Sequence, residues 1–170
     1  VLQDPRSAMD PVFTMETQFE EVVASRTGKR GGKEALEEIY SLLRSTGIAS
    51  PEERCRQYPH EWSRGMLQRA QLVMAFACRP EVLILDEVTS MLDPTITLQI
   101  LDTIRRYRRE RDCGIILITH DLAVACEICD RVAVMREGRI VETGGTRDIF
   151  ESPAHPYTRL LISGALGCTC

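Results

Sequence analysis

From residue 82 onward the chain alternates short apolar runs with longer amphipathic stretches, and this alternation limits the possible folds more than any other feature. Residues 82–85 (VLIL) and 114–118 (GIILI) have the length and composition of buried strands. Residues 95–111 and 121–129, which follow them, carry apolar side chains at helical spacing. Strands that alternate with helices predict an α/β fold, with a parallel sheet covered by helices on both faces.

The remaining elements are predicted from spacing and from turn residues. Gly47 is suited to a left-handed helix cap, and Pro51 to the first turn of a further short helix. Glu137-Gly138 predicts the turn of a β-hairpin. The predicted helices are residues 13–25, 33–44, 65–78 and 155–163, and the predicted hairpin strands are residues 131–135 and 139–143.

Composition excludes several classes of protein. A formal net charge of -4 disfavours nucleic acid as a partner, and the basic run at residues 105–109 is followed by Glu110 and Asp112, as on a solvated helix face. No apolar run approaches the roughly 18 residues of a membrane span. Seven cysteines, an odd number, favour a reducing compartment over a secreted disulfide framework. Cys126 and Cys129 have the spacing of metal ligands, but no second pair lies at a suitable distance, which favours ordinary thiols.

Polar residues follow both predicted central strands at the edge where parallel sheets bind ligands. Asp86 and Glu87 end the first strand, and His120 comes two residues after the second. One acid at such an edge is suited to holding Mg²⁺ through water, and its neighbour to orienting or deprotonating an attacking water. The alternative interpretation is a strand end with two solvated acids.

The segment YPHEWSRGM, residues 58–66, places Ser63 and Gly65 at the start of a helix. Free N–H groups and the positive end of the helix dipole make such a place suitable for a phosphate. The alternative interpretation is that Ser63 is a plain helix cap.

Together these stretches resemble the ATP-binding subunit of ABC transporters. YPHEWSRGMLQR is similar to the signature motif of that family, commonly LSGGQ or LSGGM, and VLILDE is similar to Walker B. Three further segments resemble motifs of the same family: residues 90–93 (SMLD) the D-loop, residues 118–121 (ITHD) the H-switch, and residues 1–5 (VLQDP) the Q-loop. Residues 130–142 (DRVAVMREGRIVE) and 153–161 (PAHPYTRLL) further resemble the oligopeptide/dipeptide importers, with the nickel importers as close relatives.

The resemblance implies a partial P-loop NTPase-type parallel sheet, the ABC ATPase core, with an inserted helical subdomain. The implied regions are the Q-loop end at residues 1–5, the helical subdomain at 6–62, the α/β core at 63–152 and the start of a C-terminal extension at 153–170.

The resemblance also implies that the protein binds ATP and Mg²⁺, with ATP held between two such subunits. Asp86 would hold Mg²⁺ through water, and Glu87 would be the general base. Gln3 would contact Mg²⁺ and the water, and His120 the γ-phosphate. The residues implied to serve the nucleotide of the opposite subunit are Ser63, Gly65 and Met66 of the signature and Asp93 of the D-loop.

The function implied is an ATPase that powers import of oligopeptides, dipeptides or nickel from the cytoplasmic face of the membrane. Its expected partners are a second ATP-binding subunit, transmembrane permease subunits and, indirectly, an extracytoplasmic substrate-binding protein. The alternative is a non-hydrolysing interaction module that docks a membrane partner. A DNA-repair ATPase of the same family is disfavoured by the negative charge and by the lack of long heptad arms.

The sequence departs from the family pattern at four points. The Walker A loop, GxxxxGK(S/T), precedes the Q-loop in the family and is not among these residues, so we expect an N-terminally truncated fragment that binds ATP poorly by itself. Trp62 stands where Leu is usual, Arg64 where the first signature Gly is usual, and Val88 where Pro is usual. Arg64 is expected either to obstruct a phosphate or to point away and add positive charge.

Overall fold

The computed structural model describes residues 1, 4–28, 32–90 and 92–166, apart from the side chains of residues 165 and 166. It divides into two compact units, one that ends at Ile118 and one that begins at Thr119. The elements are α1 (Met15–Thr27), α2 (Lys33–Ser45), α3 (Pro51–Arg54), a 3₁₀ helix (Pro59–Glu61), α4 (Arg64–Ala77), β1 (Val82–Asp86), α5 (Pro94–Glu110), β2 (Gly114–Ile118), α6 (Leu122–Ile128), β3 (Arg131–Arg136), β4 (Arg139–Gly145), α7 (Thr146–Glu151) and α8 (Pro156–Leu166).

Every predicted helix and strand is present, with its ends within three residues of the prediction. Caps explain the shifts at two helix starts. Thr14 accepts a hydrogen bond from the amide of Thr17, so α1 begins two residues later than the apolar pattern. Asp93 caps α5, which places Pro94 inside the helix. The 3₁₀ helix and α7 were not predicted, because elements this short show no periodicity. The predicted domain boundaries remain predictions.

The first unit is built on three helices, α1, α2 and α4, which pack against one another. Phe76 of α4 stacks on Tyr107 of α5, with ring centroids 4.0 Å apart, and this pair joins α5 to the helical layer. The buried cluster between α1, α2 and α4 includes Met15, Phe19, Val23, Ile39, Leu43, Ile48, Trp62, Leu67, Ala70 and Val73.

Strands β1 and β2 pair in parallel, with Leu83 opposite Ile115 and Leu85 opposite Leu117. Val1 extends this pairing on the other side of β1: its amino group donates to Ile84 O (2.8 Å), and the Asp86 amide donates to Val1 O (3.0 Å). The predicted parallel α/β arrangement is therefore confirmed for this pair.

The expectation of a sheet covered on both faces is wrong for the part of the chain that the structure describes. Leu83 and Leu85 are buried on one face. On the opposite face Val82, Ile84, Ile116 and Ile118 are 57%, 51%, 52% and 50% exposed. An apolar run on both faces predicts burial on both, but within the first unit the other elements pack against one face.

The end of α2 depends on a glycine. Gly47 has φ +79°, and a Cβ atom there would lie 3.1 Å from Oε1 of Gln99 and 3.2 Å from Nη1 of Arg69. Gly28, after α1, has a similar φ of +70° but open space around it. A substitution at Gly28 therefore reports only the free-energy cost of a left-handed backbone, whereas one at Gly47 also reports the cost of displacing neighbouring side chains.

We expect Gly47→Ala to destabilise the protein more than Gly28→Ala. Each alanine must adopt a left-handed backbone, which costs about 1 kcal/mol, and Gly47→Ala must also displace two polar side chains at a further cost of about 1 kcal/mol. Urea denaturation followed by circular dichroism measures both. Equal destabilisation by the two variants would contradict the close packing around Gly47.

The second unit is organised around the antiparallel pair β3 and β4. Glu137 and Gly138 join them with φ +51° and +75°, the type I′ geometry that matches strand twist, so the predicted hairpin is confirmed. A bulge lies between Val134 and Met135. The buried cluster of the second unit is formed by Val134, Ile149 and Ile162. Packed around it are Leu122, Val132, Val141, Phe150, Tyr157 and Leu161.

Within the described ranges, no helix combines the length and the apolar content that crossing a bilayer requires.

Candidate functional site

The two acids predicted at the end of β1 lie side by side at its carboxyl end. Asp86 is the last residue of the strand and is half-buried. Glu87 has φ +48°, and its backbone is held from both sides: its amide donates to Ile118 O (2.9 Å), and its carbonyl accepts from the Ser90 amide (3.0 Å). A glutamate in the left-handed region is uncommon, and backbone strain of this kind is concentrated at functional sites.

The predicted phosphate-binding end of α4 is built as a capped helix start. Ser63 Oγ accepts a hydrogen bond from the Met66 amide (3.3 Å), so the plain-cap interpretation describes its contact here. A Cβ atom on Gly65 would lie 3.7 Å from Leu92 Cδ2, an ordinary contact distance. Packing inside the unit therefore does not require glycine at position 65.

Asp93, the predicted D-loop residue, is the N-cap of α5 and accepts from the Ile96 amide (2.9 Å). Its charge also acts on the buried Arg69 of α4: burial lowers the pKa of the Arg69 guanidinium, and the charge of Asp93 opposes that effect. Sequence analysis missed Arg69. It lies in the polar first half of α4, where no pattern in the sequence distinguishes it from an arginine at the surface.

The structure explains most of the departures from the signature and Walker B patterns. Trp62 is 3% exposed, and its Nε1 donates to Arg54 O (3.1 Å), so the larger ring fills the core and bonds a carbonyl. Val88 is buried as well. Arg64 is exposed and adds positive charge beside Ser63. Exposure fits both of its expected positions, so each stays a prediction.

Gln3 lies outside the described residues. His120 belongs to the second unit, where it lines a cavity of about 590 Å³ with Asp121 and residues of α6 and α8. Asp121 caps α6 through bonds from the amides of Ala123 (2.9 Å) and Val124 (3.2 Å).

In the second unit, Glu142 joins the two segments that suggested the peptide-importer branch. Its carboxylate accepts from the amides of Ala154 (2.7 Å) and His155 (3.1 Å), just before α8. His155 Nδ1 then accepts from the Tyr157 amide (3.1 Å). The Thr158 hydroxyl and these amides hold the pKa of Glu142 below its ordinary value. Sequence analysis did not single out Glu142.

We expect the start of α8 to loosen in acid through Glu142. The pKa of Glu142 is lower in the folded protein than its ordinary value of 4.5. The ionised carboxylate therefore stabilises this unit fully at pH values above 4.5, and this stabilisation is lost as the pH falls through the folded-state pKa. Hydrogen exchange at Ala154 and His155 should therefore lose protection in acid, whereas in Glu142→Gln protection should already be low at neutral pH. Equal protection in both proteins at pH 7 would contradict this role.

The described carboxylates of the first unit do not form a cage for a metal ion. The described residues contain no group of three or more His, Cys, Asp or Glu side chains that could enclose a metal ion. Mg²⁺ does not need such a cage, because it keeps several waters and takes one or two carboxylates together with phosphate oxygens. Asp86, half-buried at the carboxyl end of β1, fits that requirement.

The parallel pair, the helical layer and the acids at the strand end are those of an ATP-binding cassette. The dimeric ATP-binding cassette MJ0796, solved bound to ADP and Pi, superposes with a TM-score of 0.74 at 20% identity, over 85% of this chain and 61% of that one. CbiO1 from Clostridium perfringens, part of the ABC transporter complex cbiONQ, gives a TM-score of 0.70 at 29% identity, over 89% and 58% of the two chains. The predicted fold class is confirmed.

The family model described as ABC transporter matches residues 2–90, and the model described as oligopeptide/dipeptide transporter, C-terminal region, matches residues 141–166. This chain therefore belongs to the ABC transporter family, and the predicted resemblance, including its peptide-transporter branch, is confirmed.

Curated relatives carry related names. The dipeptide transport ATP-binding protein DppD of Bacillus subtilis is 45% identical over 95% of this chain. A probable peptide ABC transporter ATP-binding protein of Sinorhizobium fredii is 47% identical over 96%, and the oligopeptide transport ATP-binding protein AmiE of Streptococcus pneumoniae is 43% identical over 96%. The chain spans about half the length of these relatives, at 48%, 48% and 46%.

Proposed function

We propose that this chain is part of the ATP-hydrolysing subunit of an importer for dipeptides or oligopeptides, at the cytoplasmic face of the membrane. The observation that carries the proposal is a combination in one chain. Asp86 and Glu87 stand together at the carboxyl end of a parallel strand, and Glu142 anchors the segment before α8 that matches peptide transporters. The names of the curated relatives support the same substrate class.

Asp86 is proposed to hold Mg²⁺ through water, with Gln3 as a second polar contact. When bound, Mg²⁺ neutralises charge on the phosphates of ATP. Glu87 is proposed to orient the attacking water and to take its proton on a carboxylate oxygen. The left-handed backbone at Glu87, fixed by Ile118 and Ser90, supports this role because it restricts the direction of the side chain.

Ser63, Gly65 and Met66 are proposed to face the γ-phosphate of ATP that a second ATP-binding subunit holds, and Asp93 to lie at the same subunit boundary. The start of α4 supports this with backbone N–H groups, the positive end of a helix dipole and the exposed guanidinium of Arg64. His120 is proposed to contact the γ-phosphate held by its own subunit. The dimeric state of the MJ0796 cassette is consistent with a two-subunit site.

The remaining partners are proposed to be transmembrane permease subunits and, acting through them, an extracytoplasmic substrate-binding protein. The helical subdomain of residues 6–62 is proposed to contact the permease. Nickel is the other cargo that the sequence resemblance allows. Selection of the cargo falls to these partners.

Transport reconstitution tests the function. The upstream-extended protein, which includes the native coding sequence before Val1, is combined with its permease and binding protein in proteoliposomes. We expect ATP hydrolysis to rise when the binding protein carries a dipeptide or oligopeptide, and not with a nickel-loaded binding protein. If only the nickel-loaded binding protein stimulated hydrolysis, the cargo would be nickel and not a peptide. If the protein assembled with the permease but hydrolysed no ATP, the non-hydrolysing interaction module would be favoured.

A further inference from the structure

Arg69 is a buried cation in the middle of the most buried helix of the first unit. Its side chain is 8% exposed. Moving a guanidinium out of water is costly unless its N–H groups are bonded and its charge is balanced. The surroundings of Arg69 meet both conditions.

Three backbone carbonyls accept hydrogen bonds from this one side chain. Nε donates to Gly65 O (3.1 Å), in the first turn of α4. Nη1 donates to Thr46 O (3.0 Å) and Gly47 O (3.2 Å), directly after α2. Carbonyls at the end of a helix lack intrahelical partners and carry partial negative charge, so a cation is well matched there.

The balancing charge comes from the start of a third helix. Asp93, the N-cap of α5, is the group whose charge favours the ionised guanidinium. Gln99 of α5 lies against the same turn, since its Oε1 would be 3.1 Å from a Cβ at Gly47. The end of α2 and the first turn of α4 therefore meet at this side chain, and α5 approaches the same turn through Gln99.

Only arginine among the cationic side chains can make this arrangement. Its planar fork supplies separate N–H donors for carbonyls in different directions, while lysine offers a single ammonium centre. Gly47 completes the fit, because any larger residue would approach Nη1 at 3.2 Å.

We propose that Arg69 is a positioning residue that holds the first turn of α4, and with it Ser63 and Gly65, in a fixed relation to Asp93 and to the end of α2. This inference rests on the proposed function, because it takes Ser63, Gly65 and Asp93 to act on ATP held by a second subunit. Arg69 itself does not touch the nucleotide. It links the helical layer to the residues that meet the partner subunit.

The test measures two events separately in the upstream-extended protein carrying Glu87→Gln, so that ATP is not consumed. Binding of Mg²⁺-ATP to the monomer is measured by calorimetry at low protein concentration, and ATP-driven dimerisation by analytical ultracentrifugation. We expect Arg69→Met to weaken dimerisation by about tenfold or more, because it leaves carbonyls and Asp93 without their cation. Monomer affinity for ATP should stay within about twofold, since a fold defect would weaken both events.

Arg26→Met is the matched control. Arg26 also joins two helices, through a 3.1 Å ion pair with Glu38, but that pair connects α1 with α2 and does not involve the starts of α4 and α5. It should dimerise like the parent protein. Arg69→Lys keeps the charge but not the fork, so it should fold and still dimerise poorly.

Dimerisation of Arg69→Met at the level of Arg26→Met would overturn the proposal. If Arg69→Met does not fold, normal dimerisation of Arg69→Lys would overturn it instead. If the parent protein neither binds ATP nor dimerises, the proposed function fails, and hydrogen exchange then decides the role of Arg69 in the 170-residue chain. Unchanged protection of the amides of Leu67 and Ile48 in Arg69→Met and Arg69→Lys would overturn it there.

Discussion

Glu87→Gln abolishes ATP turnover while leaving ATP binding intact: this is the largest effect on activity that we expect from one substitution. Loss of a general base lowers kcat by about 100-fold or more. Glutamine has the same shape, so the left-handed backbone at position 87 and its bonds to Ile118 and Ser90 should persist. The bound ATP is then not consumed, and the dimer should accumulate in the presence of Mg²⁺-ATP.

Phosphate release by the upstream-extended protein measures the loss, and gel filtration with ATP detects the trapped dimer. Glu81→Gln is the matched control, because Glu81 is an exposed glutamate at the other end of β1. It should hydrolyse ATP at the normal rate. A Glu87→Gln protein with more than about a tenth of the normal rate would remove Glu87 from the role of general base.

Trp62→Ala gives the largest loss of stability that we expect. The indole is 3% exposed, lies in the cluster between α1, α2 and α4, and donates to Arg54 O. Its removal leaves a cavity and an unpaired carbonyl, and we expect the free energy of unfolding to fall by about 3–5 kcal/mol. Urea denaturation followed by circular dichroism measures this without relying on the fluorescence of the residue that is removed.

Tyr58→Ala tests whether the effect depends on burial. Tyr58 is an aromatic residue of the same motif, but it is 41% exposed and stacks on His60. Its substitution should change the free energy of unfolding by less than about 0.5 kcal/mol. Equal losses for the two variants would contradict the placement of Trp62 in the core.

Elements with many periodic residues could be predicted from the sequence, and so could the acids after β1. The run VLIL followed by two carboxylates allowed both the strand and the ligand edge to be predicted. The open sheet face could not be predicted, because Ile84 and Ile116 are as apolar as the buried Leu83. Whether a strand face is exposed depends on which elements pack against it, and the pattern of residues within the strand carries no information about those elements.

The contacts that join distant parts of the chain were also beyond sequence reasoning. Arg69 meets Thr46 across 23 positions, and Glu142 meets Ala154 across 12. Both bonds end on backbone groups, which every residue carries, so no side-chain pattern marks the acceptor or donor. The left-handed backbone at Glu87 was missed for a related reason, since the tertiary bonds around it impose the conformation.

Calorimetric titration of Mg²⁺-ATP tests most directly whether this chain belongs to an ATP-hydrolysing subunit. The titration compares the 170-residue chain with the upstream-extended protein. We predict saturable binding to the extended protein and little or none to the shorter chain, in which the sequence contains no Walker A loop. Absence of binding by both proteins would contradict an ATPase function and would favour the non-hydrolysing interaction module.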